Sequence, residues 1–312
     1  MLDAEELPLV TVVTVTYNSA KFVRDAIGSV LRQNYSAIEY IIGDDSSTDE
    51  TWAVISEYKD ERIVAYRNET NLGEYHNRNK ALSMARGKYF IFIDGDDIMY
   101  PHAVSTFVIY MEKYPEACMA IQKGYYNDLV LPILLGPIEL YKNYFFGKHN
   151  LLMSSFASNF FRTELLRVGK LATQYYSGDD EIRLRLAASN PVLFVPGWMT
   201  WPRETPGQAS SKIPVDKGFL QSFEYISVIL KGDNMIAADA KLCREINMIL
   251  KEQAVVNLLH MIKNCQFKDA LSFKKRAGVK WSQLNTINAT KFKNVDVFDG
   301  RSPGSPYRQD FR

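Results

Sequence analysis

Three features are scarce in this 312-residue sequence: cysteine, long hydrophobic runs and a basic N-terminal leader. An odd number of widely spaced cysteines argues against a disulfide framework and matches no metal-ligand spacing. The most apolar stretch, 129–135, is interrupted by Pro132, and it is far shorter than the ~20 residues of a membrane-spanning helix. Because the N-terminus is acidic where a secretory signal would be basic, the expected location is the cytoplasm.

A strong charge of one sign is also missing, since 37 basic residues balance 36 acidic ones. The distribution is uneven: residues 1–100 carry an acidic excess and residues 271–312 a basic one. An acidic front half argues against a nucleic-acid-binding face, and it is compatible with carboxylates that hold a cation. The basic end suits either an anionic surface or a solvated tail.

The first hundred residues alternate between strand and helix periodicities, and further elements follow more sparsely. Predicted strands lie at 9–15, 38–42, 62–66, 88–93 and 192–195; predicted helices lie at 20–33, 48–59, 74–85, 102–113, 179–188 and across 216–276. Between 115 and 210 the pattern is otherwise irregular. This alternation predicts an α/β fold with a mainly parallel central sheet flanked by helices.

Ligands of open α/β sheets bind beyond the carboxyl ends of the strands, so the chemistry is expected after Val15, Ile42 and Ile93. The strand that ends at Ile93 is followed at once by Asp94, Asp96 and Asp97. Carboxylates this close repel one another unless a cation lies among them. Oxygen ligands favour Mg²⁺ or Mn²⁺. The alternative is an acidic turn that caps helix 102–113.

A second acidic pair, Asp44–Asp45, follows the second strand. An ionised aspartate only accepts hydrogen bonds, so it suits the imide N–H of a pyrimidine base. The alternative is an N-cap for helix 48–59, although Ser47 and Thr48 already suffice for that role.

The order and spacing of several motifs across residues 8–105 resemble family 2 glycosyltransferases of the GT-A fold. The motifs that carry the resemblance are Val12–Asn18, Ser29–Gln33, Gly43–Thr51, Asn71–Gly73, Arg78–Ala81, Ala85–Tyr89 and Asp94–Asp97. The resemblance implies an enzyme that transfers a sugar from a nucleotide sugar to an acceptor hydroxyl, with inversion at the anomeric carbon. It also implies a cell-surface polysaccharide pathway and a glycan or lipid-linked glycan as the acceptor.

The resemblance also assigns roles to residues of the donor half. It implies that Val15, Thr16, Tyr17 and Asp45 hold the base, usually uracil, so that a UDP-sugar is the expected donor. Arg78 would lie near the base or the diphosphate. Asp94 opens the last motif and acts through other ligands, Asp96 would approach the ribose or the metal, and Asp97 would bind the Mn²⁺ or Mg²⁺ ion.

A weaker part of the resemblance continues to about residue 212. The stretch Gly178–Leu186 resembles the family's segment around its catalytic base, and the base aligns with Asp179. Gly178 replaces the usual glutamate, and Asp180 is a neighbouring competitor. The alternative reading is that both aspartates only stabilise the start of helix 179–188. Arg203 would reach the diphosphate, and Glu204 stands where many members have a metal-binding histidine.

The expected organisation is a GT-A domain at 1–212, with a nucleotide-sugar half at about 8–105 and an acceptor half at about 106–212. A helical appendage at 213–278 and a loosely structured basic tail at 279–312 follow, and they suggest peripheral membrane contact or a homodimer contact. Two other functions stay open. One is a nucleotidyltransferase, although residues 16–20 lack its glycine-rich phosphate loop; the other is a non-catalytic nucleotide-sugar sensor or scaffold.

Overall fold

The computed structural model describes residues 7–124, 129–203, 205, 215–264, 266–280 and 282. Contacts divide the chain into two compact units. The first lies within residues 1–206, except for 175–177, and the second contains 175–177 together with the residues from 207 onward.

The first unit is built on an eight-stranded sheet and a separate two-stranded sheet. Its ten strands are β1 (Val10–Thr16), β2 (Ile38–Asp44), β3 (Ile63–Arg67), β4 (Tyr89–Phe92), β5 (Ile98–Met99), β6 (Met119–Lys123), β7 (Ile133–Leu135), β8 (Asn159–Arg162), β9 (Val192–Pro196) and β10 (Thr200–Trp201). The large sheet has the order β3-β2-β1-β4-β8-β6-β9-β7, and β5 pairs with β10. The pairs β1–β2, β1–β4, β2–β3 and β6–β9 are parallel, whereas both pairs of β8 and the β7–β9 pair are antiparallel.

In the described part of this unit, seven α-helices accompany the sheet. They are α1 (Val23–Leu31), α2 (Thr51–Ser56), α3 (Glu74–Met84), α4 (Ala103–Lys113), α5 (Pro137–Phe146), α6 (Thr163–Gly169) and α7 (Gly178–Ala187). The predicted alternation through residue 113 is therefore confirmed, with ends that differ by a few residues. Every residue of β1 and β2 is buried, as expected for central parallel strands, which read as continuous β-branched runs.

The middle of the chain is more regular than its sequence predicted. Strands β6, β7 and β8 and helices α5 and α6 all lie between 115 and 170, where we expected irregular structure. Each of the three strands has five residues or fewer, too few to show a clear period of two. The antiparallel strand β8 sits between β4 and β6, so the sheet is mixed.

The second unit is helical, as the pattern over 216–276 predicted. It contains α8 (Val215–Ile229), α9 (Met235–Ala238), α10 (Ala240–Lys263) and α11 (Phe267–Arg276). Asn234 caps α9 and Asp239 caps α10 through their side chains. Apolar side chains of α8, α10 and α11 form one cluster that includes Phe219, Leu258 and Phe273. Nearly all of the expected tail at 279–312 lies outside the described residues.

No helix in the described part of the chain combines the length and the apolar character that crossing a bilayer requires. The longest of them, α10, carries charged side chains along its 24 residues.

Candidate active site

The carboxyl ends of β1, β2 and β4 lie side by side, because β1 pairs in parallel with both of the other strands. Thr16 ends β1, and its carbonyl accepts a hydrogen bond from the main-chain N–H of Asp45 at 2.9 Å. The turn that follows β4 contains Gly95, where a Cβ atom would lie 2.6 Å from the Thr16 hydroxyl. Glycine therefore lets the turn after β4 pack directly against the end of β1.

The turns after β1 and β2 are tied together by a short set of hydrogen bonds. The N–H of Asn18 donates to the Ser47 hydroxyl at 2.9 Å, and the Asn18 side chain accepts from the N–H of Thr48 at 2.8 Å. Asn18 and Ser46 both have positive φ, at 52° and 64°, which is uncommon for non-glycine residues. Two strained turns at one sheet edge are typical of a functional site.

The Asp45 carboxylate is buried and organises the loop that precedes α3. It accepts hydrogen bonds from the Asn68 side chain at 2.8 Å and from the main-chain N–H groups of Leu72 at 3.0 Å and Gly73 at 2.9 Å. Asn68 in turn accepts from Lys80 at 2.7 Å. Since a carboxylate has about four acceptor sites, three protein donors leave room for about one more.

Asp44 has a different role from its neighbour. Its carboxylate is fully buried, accepts from the hydroxyl and the N–H of Ser47, and pairs with Arg67 at 3.2 Å. Helix α2 begins after Glu50 and has no side-chain cap. The acidic pair therefore fixes the turn and the following loop, and the alternative reading as a helix N-cap is not what the structure shows.

The three carboxylates after β4 lie in one four-residue turn and have different partners. Asp94 accepts from Arg78 at 2.6 Å, Asp96 from the Thr205 hydroxyl at 2.7 Å, and Asp97 from the main-chain N–H of Arg203 at 2.9 Å. Burial, together with the negative charges of Asp94 and Asp96, raises the pKa of Asp97 to about 8. A buried carboxylate of this kind is stabilised in its ionised form by a nearby cation.

The carboxylate oxygens of this turn are ligands of the type that a hard divalent cation prefers. The rest of the coordination would come from outside the chain. Within the part of the chain that the structure describes, no three histidine, cysteine or acidic side chains converge on a metal-ligand arrangement. Protein sites for Mg²⁺ commonly supply one or two carboxylates and leave the remaining positions to water and substrate phosphates. Asp96 and Asp97 match that pattern. Glu204, the expected substitute for the family histidine, lies outside the described residues.

Arg78 is a buried cation next to the turn that follows β4. Its guanidinium bridges Glu74 at 2.9 Å and Asp94 at 2.6 Å, and it lies 4.9 Å from the ring centre of Phe92 and 5.1 Å from that of Phe156. Burial lowers the pKa of Arg78, but the charges of Asp94 and Glu74 outweigh this effect and raise it. Among the described residues, Arg78 Nη1 and the Thr16 hydroxyl are buried without a hydrogen-bond partner.

The predicted base lies at the start of α7, and α3 reaches it. The Asp179 carboxylate accepts from the Tyr75 hydroxyl at 3.0 Å on one oxygen and from Arg183 at 3.3 Å on the other. Arg183 also binds Asp180. Burial, together with the charge of Asp179, raises the pKa of Asp180 to about 6 although Arg183 opposes the shift.

Gly178 stands before Asp179 at a position that leaves no room for a side chain. A Cβ atom at this position would lie 2.7 Å from the carbonyl oxygen of Ala172 and 3.0 Å from the ring of Tyr75. Any larger side chain would therefore push the Tyr75 ring away from Asp179.

Arg203 contacts the turn after β4 through its main chain. Its N–H binds Asp97, but its guanidinium pairs with Asp25 at 3.1 Å and lies over the rings of Phe22 and Trp201. The side chain therefore points to α1, and a diphosphate role requires it to leave Asp25. Tyr17, by contrast, is half exposed directly after β1.

Sequence reasoning missed three polar residues of this edge. They are Asn68, Tyr75 and Lys123. Lys123 ends β6. This strand runs in the same direction as β4, because both pair antiparallel with β8 between them. The Lys123 ammonium donates to the Met153 carbonyl. Burial and the nearby charge of Arg183 lower the pKa of Lys123 to about 7. The only available signal for Tyr75 was its position three residues before Arg78 on a predicted helix.

A sequence profile described as Glycosyl transferase family 2 matches residues 11–169, which is half of the chain. The chain belongs to this family. The match includes β1, β2, β4 and the carboxylate turns, so the resemblance seen in the donor motifs is confirmed.

Curated relatives match about a third of the chain. The chain is 39% identical over 106 residues to the UDP-Glc:alpha-D-GlcNAc-diphosphoundecaprenol beta-1,3-glucosyltransferase WfaP of Escherichia coli, over 34% of this chain and 42% of the relative. It is 45% identical over 92 residues to the putative teichuronic acid biosynthesis glycosyltransferase TuaG of Bacillus subtilis, over 29% of this chain and 36% of that protein. The matched segment thus spans less than half the length of either relative.

Solved structures resemble the chain more extensively. TarS 1–349 of S. aureus in complex with UDP-GlcNAc has a TM-score of 0.64 at 17% identity, over 88% of this chain and 93% of that chain. The mannosyltransferase PcManGT from Pyrobaculum calidifontis, in complex with GDP-Man and Mn²⁺, has a TM-score of 0.58 at 17% identity, over 90% and 85%. At this identity the likeness concerns the fold, and it confirms the predicted GT-A architecture.

Proposed function

We propose that this protein is an inverting, metal-dependent glycosyltransferase that moves a sugar from a UDP-sugar to a hydroxyl of a glycan or lipid-linked glycan. The observation that carries the proposal is the shared sheet edge. It brings the Asp45 loop, the Asp96–Asp97 pair and two buried unpartnered polar atoms, Thr16 Oγ1 and Arg78 Nη1, to the carboxyl ends of β1, β2 and β4.

The donor half supports recognition of a nucleotide. Val15 and Thr16 form the end of β1, Tyr17 follows them, and Asp45 retains acceptor capacity nearby. A uracil imide N–H is a suitable last donor for that carboxylate. The bound UDP-GlcNAc and UDP in the TarS structures belong to those proteins, and they make UDP-sugars the first donors to test here.

The diphosphate side supports a divalent cation. Asp96 and Asp97 would hold it, and in this site it would neutralise charge on the leaving nucleoside diphosphate as a Lewis acid. Arg78 holds Asp94 in place through a 2.6 Å ion pair. Arg203 would assist the diphosphate once its guanidinium left Asp25, since a planar guanidinium binds phosphate oxygens in pairs.

The acceptor side supports a single in-line displacement. An acceptor hydroxyl needs a carboxylate to take its proton as the new bond forms, and one such group suffices when no covalent intermediate forms. We assign this role to Asp179. Its Tyr75 contact connects it to α3, which also carries Arg78 and thus contacts the turn after β4. Asp180 is tied to Arg183 of its own helix.

The test of the class is UDP or GDP release from a panel of nucleotide sugars with Mn²⁺ and a glycan acceptor. A glycosyltransferase consumes donor only when both the cation and a suitable acceptor are present. A nucleotidyltransferase would instead form nucleotide sugar from a sugar phosphate and a nucleoside triphosphate. A non-catalytic sensor would bind donors, measured as a thermal shift, without turnover in any combination.

The test of the base compares two neighbouring substitutions. Asp179→Asn is expected to keep UDP binding and lose transfer by about 10²–10⁴-fold, the usual contribution of a general base. Asp180→Asn, which leaves the Tyr75 contact intact, is the matched control and is expected to lose far less. The opposite order would transfer the base assignment to Asp180.

The second unit would serve the acceptor or its location. Helix α11 exposes Phe267 and Leu271 to 58% each, and Lys268 and Lys275 lie on the same helix. Apolar and basic side chains together suit an anionic bilayer surface, at ~1 kcal/mol per basic residue. Flotation with anionic vesicles at low salt tests this peripheral contact. Failure to float, with a doubled mass in light scattering, would favour a homodimer.

A further inference from the structure

Helix α3 contacts both halves of the proposed site from one face. Tyr75, Arg78 and Asn79 are three and four residues apart, the spacing that places side chains on one side of a helix. Arg78 binds Asp94 of the donor turn at 2.6 Å, and Tyr75 binds Asp179 at 3.0 Å.

Asn79 fastens the segment that leads to the base. Its side chain donates to the carbonyl of Leu171 at 2.8 Å and accepts from the N–H of Leu171 at 2.9 Å. Seven residues later the ring of Tyr75 packs closely against Gly178, with no room for a side chain between them. The chain before Asp179 is therefore held to α3 at two points.

The Tyr75 hydroxyl determines the orientation of the carboxylate itself. It donates to one oxygen of Asp179, while Arg183, from the same helix as Asp179, binds the other. Burial raises the pKa of Tyr75, as does the adjacent charge of Asp179, so the hydroxyl stays a donor at every working pH. Arg183 is shared with Asp180, so it binds Asp179 less exclusively than Tyr75 does.

We propose that Tyr75 is a positioning residue that orients the Asp179 carboxylate toward the acceptor hydroxyl, so that α3 sets the geometry between the donor carboxylates and the base. The inference rests on the proposed function, because it gives Asp179 the role of base. It assigns a role to a residue outside the carboxylate motifs.

The test is Tyr75→Phe, which removes the hydroxyl and keeps the ring that packs on Gly178. The matched control is Tyr89→Phe, because the Tyr89 hydroxyl also donates to a carboxylate, Glu112, at 2.7 Å, and Tyr89 begins β4 at the opposite end of that strand. We expect Tyr75→Phe to lower kcat by about 10- to 100-fold, the value of a hydrogen bond to a charged group. The KM for the donor and the affinity for UDP should stay within twofold of those of the Tyr89→Phe protein.

A double variant separates positioning from an independent effect. If Tyr75 acts through Asp179, adding Tyr75→Phe to Asp179→Asn should lower the residual rate no further, since the two changes remove one interaction. A further tenfold loss would overturn the inference, and so would a Tyr75→Phe protein with an unchanged kcat or with a parallel loss of UDP affinity. If the unmodified protein transfers no sugar from any donor, the proposed function fails, and the inference fails with it.

Discussion

Two buried carboxylates follow the strands on either side of β1, Asp45 after β2 and Asp97 after β4, and they have different environments. Asp45 accepts three hydrogen bonds from the loop at 68–73. Asp97 accepts one from the described residues, the N–H of Arg203, and has Asp94 and Asp96 as negatively charged neighbours. The protein thus satisfies the Asp45 carboxylate with its own hydrogen-bond donors and does so much less for Asp97.

Under the proposed function, this difference separates a carboxylate that mainly organises a loop from one that would bind a cation. Donors from three positions of one loop make Asp45 an organiser of that loop, and its remaining acceptor site is available to a base. Asp97 is destabilised in its ionised form by burial, and a cation removes that penalty. Mutation of Asp45 and mutation of Asp97 should therefore have different effects on stability and activity, although both residues lie in Asp-rich turns.

The largest expected effect is on catalysis. Asp97→Asn should lower sugar transfer by about 10³-fold, because loss of a Lewis acid removes several kcal/mol of transition-state stabilisation. Mn²⁺ titration of UDP release measures it. Asp60→Asn, which removes a carboxylate from a surface ion pair with Arg62, is the control. Equal activity of the parent protein in EDTA and in Mn²⁺, or an Asp97 variant with the parent's Mn²⁺-dependent activity, would reject the metal assignment.

The second effect concerns the loop. Asp45→Asn should lower the free energy of unfolding by about 1–3 kcal/mol, because an amide nitrogen would face N–H donors that lose their acceptor. It should also weaken UDP binding with a smaller change in kcat. Denaturant unfolding and UDP titration measure the two effects. Unchanged stability would mean that the loop at 68–73 does not depend on Asp45.

A smaller effect has the opposite sign. In metal-free protein at neutral pH, Asp97→Asn should raise the Tm, since a neutral amide replaces a buried carboxyl group crowded by Asp94 and Asp96. Differential scanning calorimetry in EDTA measures the change. A Tm that falls as much as that of Asp45→Asn would remove the distinction between the two carboxylates.

The smallest expected effect is a change in the pH dependence of stability, and it concerns Lys123 at the end of β6. Its folded pKa of about 7 lies below its ordinary value, so between pH 7 and about pH 10 the unfolded chain binds the proton more strongly. Stability of the parent protein should therefore rise across that range. Lys123→Met lacks this contribution, so its Tm gain over the parent should be largest near pH 7 and shrink toward pH 10. A constant difference across the range would refute the shift.

Much of the donor half could be predicted from sequence because its signals are local. Buried parallel strands such as β1 and β2 read as β-branched runs, and the acidic turns follow them directly. The middle was harder, since β7 and β8 are short and pair antiparallel with strands distant in sequence. Strand β10 pairs with β5 across about a hundred residues, and this pairing brings Arg203 to Asp97.

The sequence by itself determined the family, the α/β alternation and the positions of the acidic turns, because each of these is encoded within a few consecutive residues. Only the tertiary structure decided which carboxylates are satisfied by the protein. Asp45 and Asp97 look alike in sequence, and their partners come from segments 23 to 28 and 106 residues away. Tyr75 and Asp179 are separated by 104 residues, and no local pattern predicts a hydrogen bond across that distance.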